Sequence, residues 1–197
     1  MRYDAEHKQK TRERVLDEAA KAIRAEGPHR VGVAGIMAKA GLTHGGFYAH
    51  FASKDELVLA AIGRMFEQGA KRRLNQFADL PPAQALSAYI DFYLSTGHRD
   101  ARLTGCPMPA LAADLPRMDA QSQACFAQGV ASVTAGISDL VAAAGRPDPE
   151  DLAGSAVAEL VGALSLARAE PDPARSDAML ERSRRLIKQR LGLEGRS

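Results

Sequence analysis

The residues from Thr43 to Lys54, Thr-His-Gly-Gly-Phe-Tyr-Ala-His-Phe-Ala-Ser-Lys, set hydrogen-bonding side chains around two adjacent glycines. Two chemistries could use such a group. One is metal or acid–base chemistry at the imidazoles. His44 and His50 are six residues apart, however, and on an α-helix that spacing puts them on different faces. The chain has no Glu-x-x-His pair, nucleophile elbow or phosphate loop. His98 and Cys106 could meet in space, but nothing in the sequence orients them. No enzyme, cofactor or metal is therefore expected. The other chemistry is close approach to a polyanion. Thr43 and His44 can donate to and accept from base edges. Gly45 and Gly46 remove the side chains that would keep a backbone at a distance. Tyr48 and His50 can donate to phosphate oxygens. Gly46 costs helix stability, roughly 1 kcal/mol against Ala, so its use there has either a steric reason or no strong need for the helix alone.

These groups need elements to hold them. Val15, Ala19 and Ile23, with Leu16 and Ala20, form one apolar face of a helix over about 10–26, ended by Gly27-Pro28. Val33, Ile36 and Met37 mark a short helix over 33–40. Gly41 supplies the turn. A second short helix, 44–50, follows with Thr43 as its expected N-cap and Phe47 and Phe51 as its anchors. Helix, glycine turn and helix make a helix-turn-helix, whose second helix presents its first turn to the DNA major groove. Ser53-Lys54-Asp55-Glu56 reads as a capping box opening a fourth helix that extends to about residue 77. Lys54 sits in that first turn, where the helix dipole disfavours a cation unless a phosphate joins it; plain solvation of its ammonium fits as well.

Further helices are expected over 82–96, 107–115, 118–144, 149–169 and 176–191, with 97–105 as a loop. The fold class is thus all-α: an amino-terminal helix-turn-helix domain of three helices over 1–55 and a larger helical domain over 56–197, about nine helices in all, the boundary falling within or near the fourth helix. The 197 residues carry 26 Lys and Arg against 24 Asp and Glu. The charge is uneven: residues 1–54 hold ten basic and six acidic side chains, the rest sixteen and eighteen. That polarity fits an anion-binding module joined to something else. Cys106 and Cys125 form neither a disulfide framework nor a zinc pattern. The start of the chain does not read as a secretory signal, and the apolar runs near 130–144 and 153–167 are broken by Asp139 and Glu159. A cytoplasmic location with no membrane partner is expected.

Ile36-Met37-Ala38-Lys39-Ala40-Gly41-Leu42-Thr43, then Gly45, Phe47-Tyr48-Ala49-His50-Phe51 and Ser53-Lys54-Asp55-Glu56-Leu57, resembles the DNA-binding region of TetR-family transcriptional repressors. The likeness covers about a quarter of the chain. It implies a homodimer that presents two recognition helices to a roughly palindromic operator. Thr43, His44, Gly45 and Gly46 would face bases. Tyr48, His50 and Lys54 would hold phosphates, with Arg30 or Lys39 adding charge. Gly32 stands where this family usually has Ser or Thr, and Gly35 where an acid is usual, which implies a less rigid start to the first short helix.

The resemblance also implies a ligand pocket in the second domain. Tyr89, Phe92, Tyr93, Met108, Met118, Cys125 and Phe126 are its candidates, as adaptable apolar side chains that also fit plain core burial. Cys106, just before an expected helix start, is a candidate electrophile or redox sensor, since a helix N-terminus can acidify a thiol. The last two helices would pair with their copies through Val157, Leu160, Val161, Leu164, Leu180 and Ile187, positions that equally suit the chain's own core. The effector is an unidentified small molecule or electrophile. A DNA-binding dimer with no effector is the alternative, and a cavity among Tyr93, Met108 and Phe126 would count against it.

Overall fold

The computed structural model describes residues 2–193, including all of their side chains except those of residues 2–5 and 74–75. Nine α-helices and two short 3₁₀ helices, with no strand among the described residues, make an all-α fold. Helix α1 spans Arg2–Glu26, α2 Val33–Lys39, α3 Lys54–Phe77, α4 Pro82–Tyr93, α5 Thr96–Asp100, α6 Met108–Leu111, α7 Ala120–Ala143, α8 Pro149–Ala169 and α9 Pro173–Arg190. The 3₁₀ helices are His44–Ala49 and Leu115–Arg117.

Several ends follow from sequence chemistry. Gly41, at φ +71°, closes α2 in a Schellman arrangement: the Leu42 amide donates to the Met37 carbonyl and the Gly41 amide to that of Ala38. The Ser53 hydroxyl accepts from the Glu56 amide at 3.1 Å. Glu56 reaches back to the Ala52 amide at 2.6 Å, one residue earlier than the standard box, so three backbone and side-chain groups are fixed where the chain enters α3. Asp119 caps α7 through the amides of Gln121 and Ser122, both at 2.9 Å, and Asp172 caps α9 through that of Arg175.

The structure corrects four boundaries. Helix α1 begins eight residues before the expected start. Helix α4 ends at Tyr93, and the expected 97–105 loop contains α5, capped by the Ser95 hydroxyl on the His98 amide. The element at 107–115 is only one turn of helix and is followed by a 3₁₀ turn. Helix α9 starts at Pro173, not Ser176, because Asp172-Pro173 supplies both a cap and a residue suited to the first helical position.

Two apolar cores result. The first gathers Val15, Ala19 and Ile23 of α1, Ile36 and Met37 of α2, Phe47 and Phe51, and Leu57 to Met65 along one face of α3. The second is built by α4, α7, α8 and α9 around Leu86, Ile90, Ile137, Leu160 and Leu164. Phe66 and Phe126 touch both, edge to face with ring centroids 5.6 Å apart. Helix α7 approaches α3 closely here because Gly129 faces the Phe66 ring; any Cβ at that glycine would overlap the ring. Helices α7 and α8 are long and apolar enough to cross a membrane by length and composition, each with a mean hydropathy of 1.3. In this fold they pack against each other, α7 also against α3 and α4, and α8 against α9.

Candidate functional site

The segment Thr43 to Lys54 forms one surface. Phe47 and Phe51 are 2 % and 1 % exposed and stack at 5.7 Å, which pins the 3₁₀ helix to α2 and α3. Arg12 of α1 sits over the Phe51 ring, 4.7 Å from its centroid. Around these anchors Thr43, His44, Gly45 and Tyr48 face solvent, Tyr48 with 72 % of its surface exposed. Arg30 and Lys39 are exposed as well. An α-helix was expected here; the 3₁₀ form follows from two consecutive glycines, which disfavour the α-helix, in a segment of only six residues. Thr43 has extended N-cap backbone angles, but its hydroxyl makes no cap bond. Gly32 likewise leaves the start of α2 without a side-chain cap.

The glycine pair has no internal cause. Neither glycine has a positive φ. A Cβ on Gly45 would meet nothing within 4 Å, and one on Gly46 would make ordinary contact with the Met37 methyl at 3.7 Å. Packing and backbone geometry would both accept alanine at either position.

His50 and Lys54 are less free than expected. His50 is half-buried, its Nδ1 has no hydrogen-bond partner, and burial, then Lys8 and Arg12, push its pKa down. Lys54 donates its ammonium to the His29 carbonyl at 3.0 Å, so this cation ties the start of α3 to the α1–α2 connection.

Between the two cores lies a chamber of about 50 Å3. Tyr89, Phe92, Tyr93 and Cys106 line it, four of the eight expected pocket residues. A wider cleft of about 260 Å3 adjoins it and shares Arg73, Phe77 and Tyr89. The other four are elsewhere. Met108 is 3 % exposed inside the second core, where a one-turn helix folds it inward. Met118 borders a separate surface hollow beside Lys54. Cys125 packs on the first core near Gly63, and Phe126 is held edge-on against Phe66. Sequence reasoning missed Arg24, Arg72, Arg73 and His98, which also border the chamber. By helical spacing Arg24 falls on the polar face of α1 with Arg14, Asp17 and Lys21; only the tertiary fold turns it inward.

His98 organises the chamber wall. Its Nδ1–H donates to the Tyr93 carbonyl at 2.8 Å and its Nε2 accepts from the Cys106 amide at 3.0 Å. Burial lowers its pKa to about 4, which keeps this neutral tautomer. The expectation of an acidified Cys106 thiol is corrected: burial pushes it up, against weaker pulls from Tyr93, the Met108 amide, Arg168 and Arg24. The helix that follows has four residues, too few for a strong dipole. The expected dimer residues lie in the chain's own core, the alternative that their pattern suits equally. Val157, Leu160, Leu164, Leu180 and Ile187 are 0–6 % exposed within the single chain, and Val161 packs half-buried against the same core. The small outward positions of α8, Gly154 and Ala158, lie opposite them, with Leu166 64 % exposed.

Residues 15–61 match the model of the bacterial regulatory proteins, tetR family. Among solved structures, a TetR transcriptional regulator from Chloroflexus aurantiacus J-10-FL is 26 % identical, with 95 % of this chain and 96 % of that one covered and a TM-score of 0.80. NemR of E. coli in its reduced form gives the same TM-score at 20 % identity over 91 % of this chain and 96 % of that one. A TetR-family regulator from Agrobacterium tumefaciens follows at 0.78 and 21 %, with 93 % and 98 % covered. Among curated proteins, none matches the chain. The amino-terminal helix-turn-helix thus matches the tetR family of bacterial regulatory proteins, and the chain shares the fold of these solved regulators.

Proposed function

We propose that this chain is a cytoplasmic, ligand-responsive repressor that binds a palindromic operator as a homodimer and releases it when an effector enters the chamber between the two cores. The observation that carries the DNA reading is the glycine pair. Gly45 and Gly46 are demanded by nothing inside the protein, and they sit among exposed donors on a segment anchored by Phe47 and Phe51. A backbone kept bare without internal need fits clearance for a DNA strand. Thr43 and His44 would read bases. Tyr48, His50 and Lys54 would hold phosphates, with Arg30 and Lys39 beside them.

The domain division falls within α3, whose Leu57–Met65 face serves the first core, whose Phe66 touches both and whose Phe77 serves the second. The dimer face is the outward stripe of α8, Gly154, Ala158 and Leu166, joined by exposed Leu186 of α9. Small residues there permit close helix approach. Two half-sites on DNA are about 34–36 Å apart or a multiple of that, and the dimer sets this spacing. Effector binding favours a second arrangement of α1 and α3 and lowers DNA affinity by its differential affinity for the two states. The effector is a reversible ligand or an electrophile that alkylates Cys106, whose side chain lines the chamber.

Footprinting on the DNA flanking the protein's own gene tests the core of this reading. Protection of a two-fold symmetric site by wild type, lost in Gly45→Val, is expected. Absence of any protected symmetric site there and in a random-sequence selection would overturn it. Alkylation of Cys106, confirmed by mass, with unchanged operator affinity would remove the electrophile route.

A further inference from the structure

The polar lining of the chamber is cationic. Arg24 from the end of α1 and Arg72 and Arg73 from α3 border it, and no Asp or Glu does. None of these three guanidinium groups is ion-paired with a carboxylate among the described residues. Arg24 is 7 % exposed. It donates to the Leu103 carbonyl at 3.4 Å and to Gln68 Oε1 at 3.1 Å, and its Nε has no partner. Asp17, an acid near enough to act on Arg24, is already occupied: Arg64 and Gln68 each donate to it at 2.8 Å. Arg72 donates to the Thr104 carbonyl at 3.3 Å and lies 6.0 Å from the Phe92 ring centroid. The Tyr93 hydroxyl is buried beside the Cys106 thiol and has no nitrogen or oxygen partner.

Buried charges are ordinarily paired, because neutral acceptors compensate only part of the lost hydration. Here one buried cation, Arg24, two half-exposed ones, Arg72 and Arg73, and the Tyr93 phenol surround a space whose remaining walls are largely aromatic and apolar. A carboxylate matches the guanidinium fork and accepts from a phenol, and a flat ring matches Phe77 and Tyr89 where the chamber opens into the wider cleft. The two spaces together reach about 300 Å3, the lower end of small-molecule sites.

We infer that the chamber takes a small aromatic carboxylate, its charged end between Arg24 and Arg72 and its ring in the adjoining cleft. This rests on the reading of the chamber as the effector site. Arg24 gives the ligand a direct hold on α1, because the anion competes with Gln68 and the Leu103 carbonyl for the same guanidinium. Burial lowers the Arg24 pKa to about 10, which still leaves it charged at neutral pH and raises the gain from an anionic partner.

Calorimetry on the full chain with three probes of one shape tests this: cinnamate, cinnamamide and cinnamylamine. Cinnamate should bind about tenfold or more tighter than the amide, and the amine should not bind. Arg72→Met and Arg24→Met should each weaken cinnamate by a similar factor and leave the amide unchanged. Arg24→Lys, which keeps the charge and loses the fork, replaces Arg24→Met if the latter misfolds. Equal or tighter binding of the amide or amine, no heat from cinnamate at millimolar concentration, or arginine variants that bind cinnamate like wild type would overturn the assignment. DNA binding of the ligand-free protein, measured in parallel, reads the regulator function separately, so either can fail without the other.

Discussion

The Cys106 amide donates to Nε2 of His98 at 3.0 Å while Nδ1–H of the same ring is held by the Tyr93 carbonyl at 2.8 Å. Both ring nitrogens are committed, and only the neutral form serves both bonds. The pKa falls from 6.5 to about 4 on folding, so the unfolded chain binds the proton first. The stabilisation is complete above about pH 6.5 and is lost as pH drops towards 4, a change on the order of 3 kcal/mol. Urea unfolding across that range should show the slope, and His98→Gln should flatten it.

Gly45→Ala and Gly46→Ala separate stability from binding. Neither new methyl group would clash, and alanine is the better helix former, so stability should hold or rise by up to about 1 kcal/mol. Operator affinity should fall tenfold or more. Thermal melting and fluorescence anisotropy on the same samples measure both; a loss of stability with intact affinity would reverse the role given to the pair.

His50 makes DNA binding depend on pH. Its free pKa lies below 6.5 through burial and the nearby Lys8 and Arg12. A phosphate at the ring would raise it, so binding takes up a proton and affinity should increase as pH falls through the interval between the free and bound values. His50→Gln should remove that dependence. Affinity that is flat with pH in the wild type would place His50 outside the phosphate contacts.

His44 and Lys54 should fail in different ways. His44→Ala should relax sequence preference with a modest loss of affinity. Lys54→Met should weaken all sequences alike and reduce the salt slope by about 1. Anisotropy over a salt series, on operator and scrambled DNA, distinguishes the two.

Gly129→Ala should destabilise by about 1–3 kcal/mol, the usual cost of overfilling a packed contact, because the Phe66 ring occupies the space of the new methyl. Phe66 borders the chamber, so ligand affinity should change with it. Gly35→Ala in α2, with open space around its Cβ position, is the matched control for stability.

The helix-turn-helix was legible because its signals are local. Gly41 at φ +71°, the Ser53–Glu56 cap and the Phe47 and Phe51 anchors each act within a few residues. The chamber was legible only where one helix carries it, at Tyr89, Phe92 and Tyr93, and at Cys106. Arg24 and Arg72 meet across 48 positions of sequence, and no periodicity reports such a meeting. The inward face of α8 was not legible for a related reason: α8 is apolar on more than one face, and composition cannot say which face the chain keeps for itself. Leu160 and Leu164 turned inward, while Leu166 turned outward.

Helix α1 anchors the helix-turn-helix with Val15, Ala19 and Ile23 and at the very next residue places Arg24 in the chamber wall. This bears on building hybrid regulators. A graft that moves residues 1–55 onto another effector domain carries away one wall of the donor's ligand site and imports a foreign arginine into the host's. Exchange of recognition specificity is therefore cleaner by replacing the surface from Thr43 to Tyr48 than by swapping the whole module.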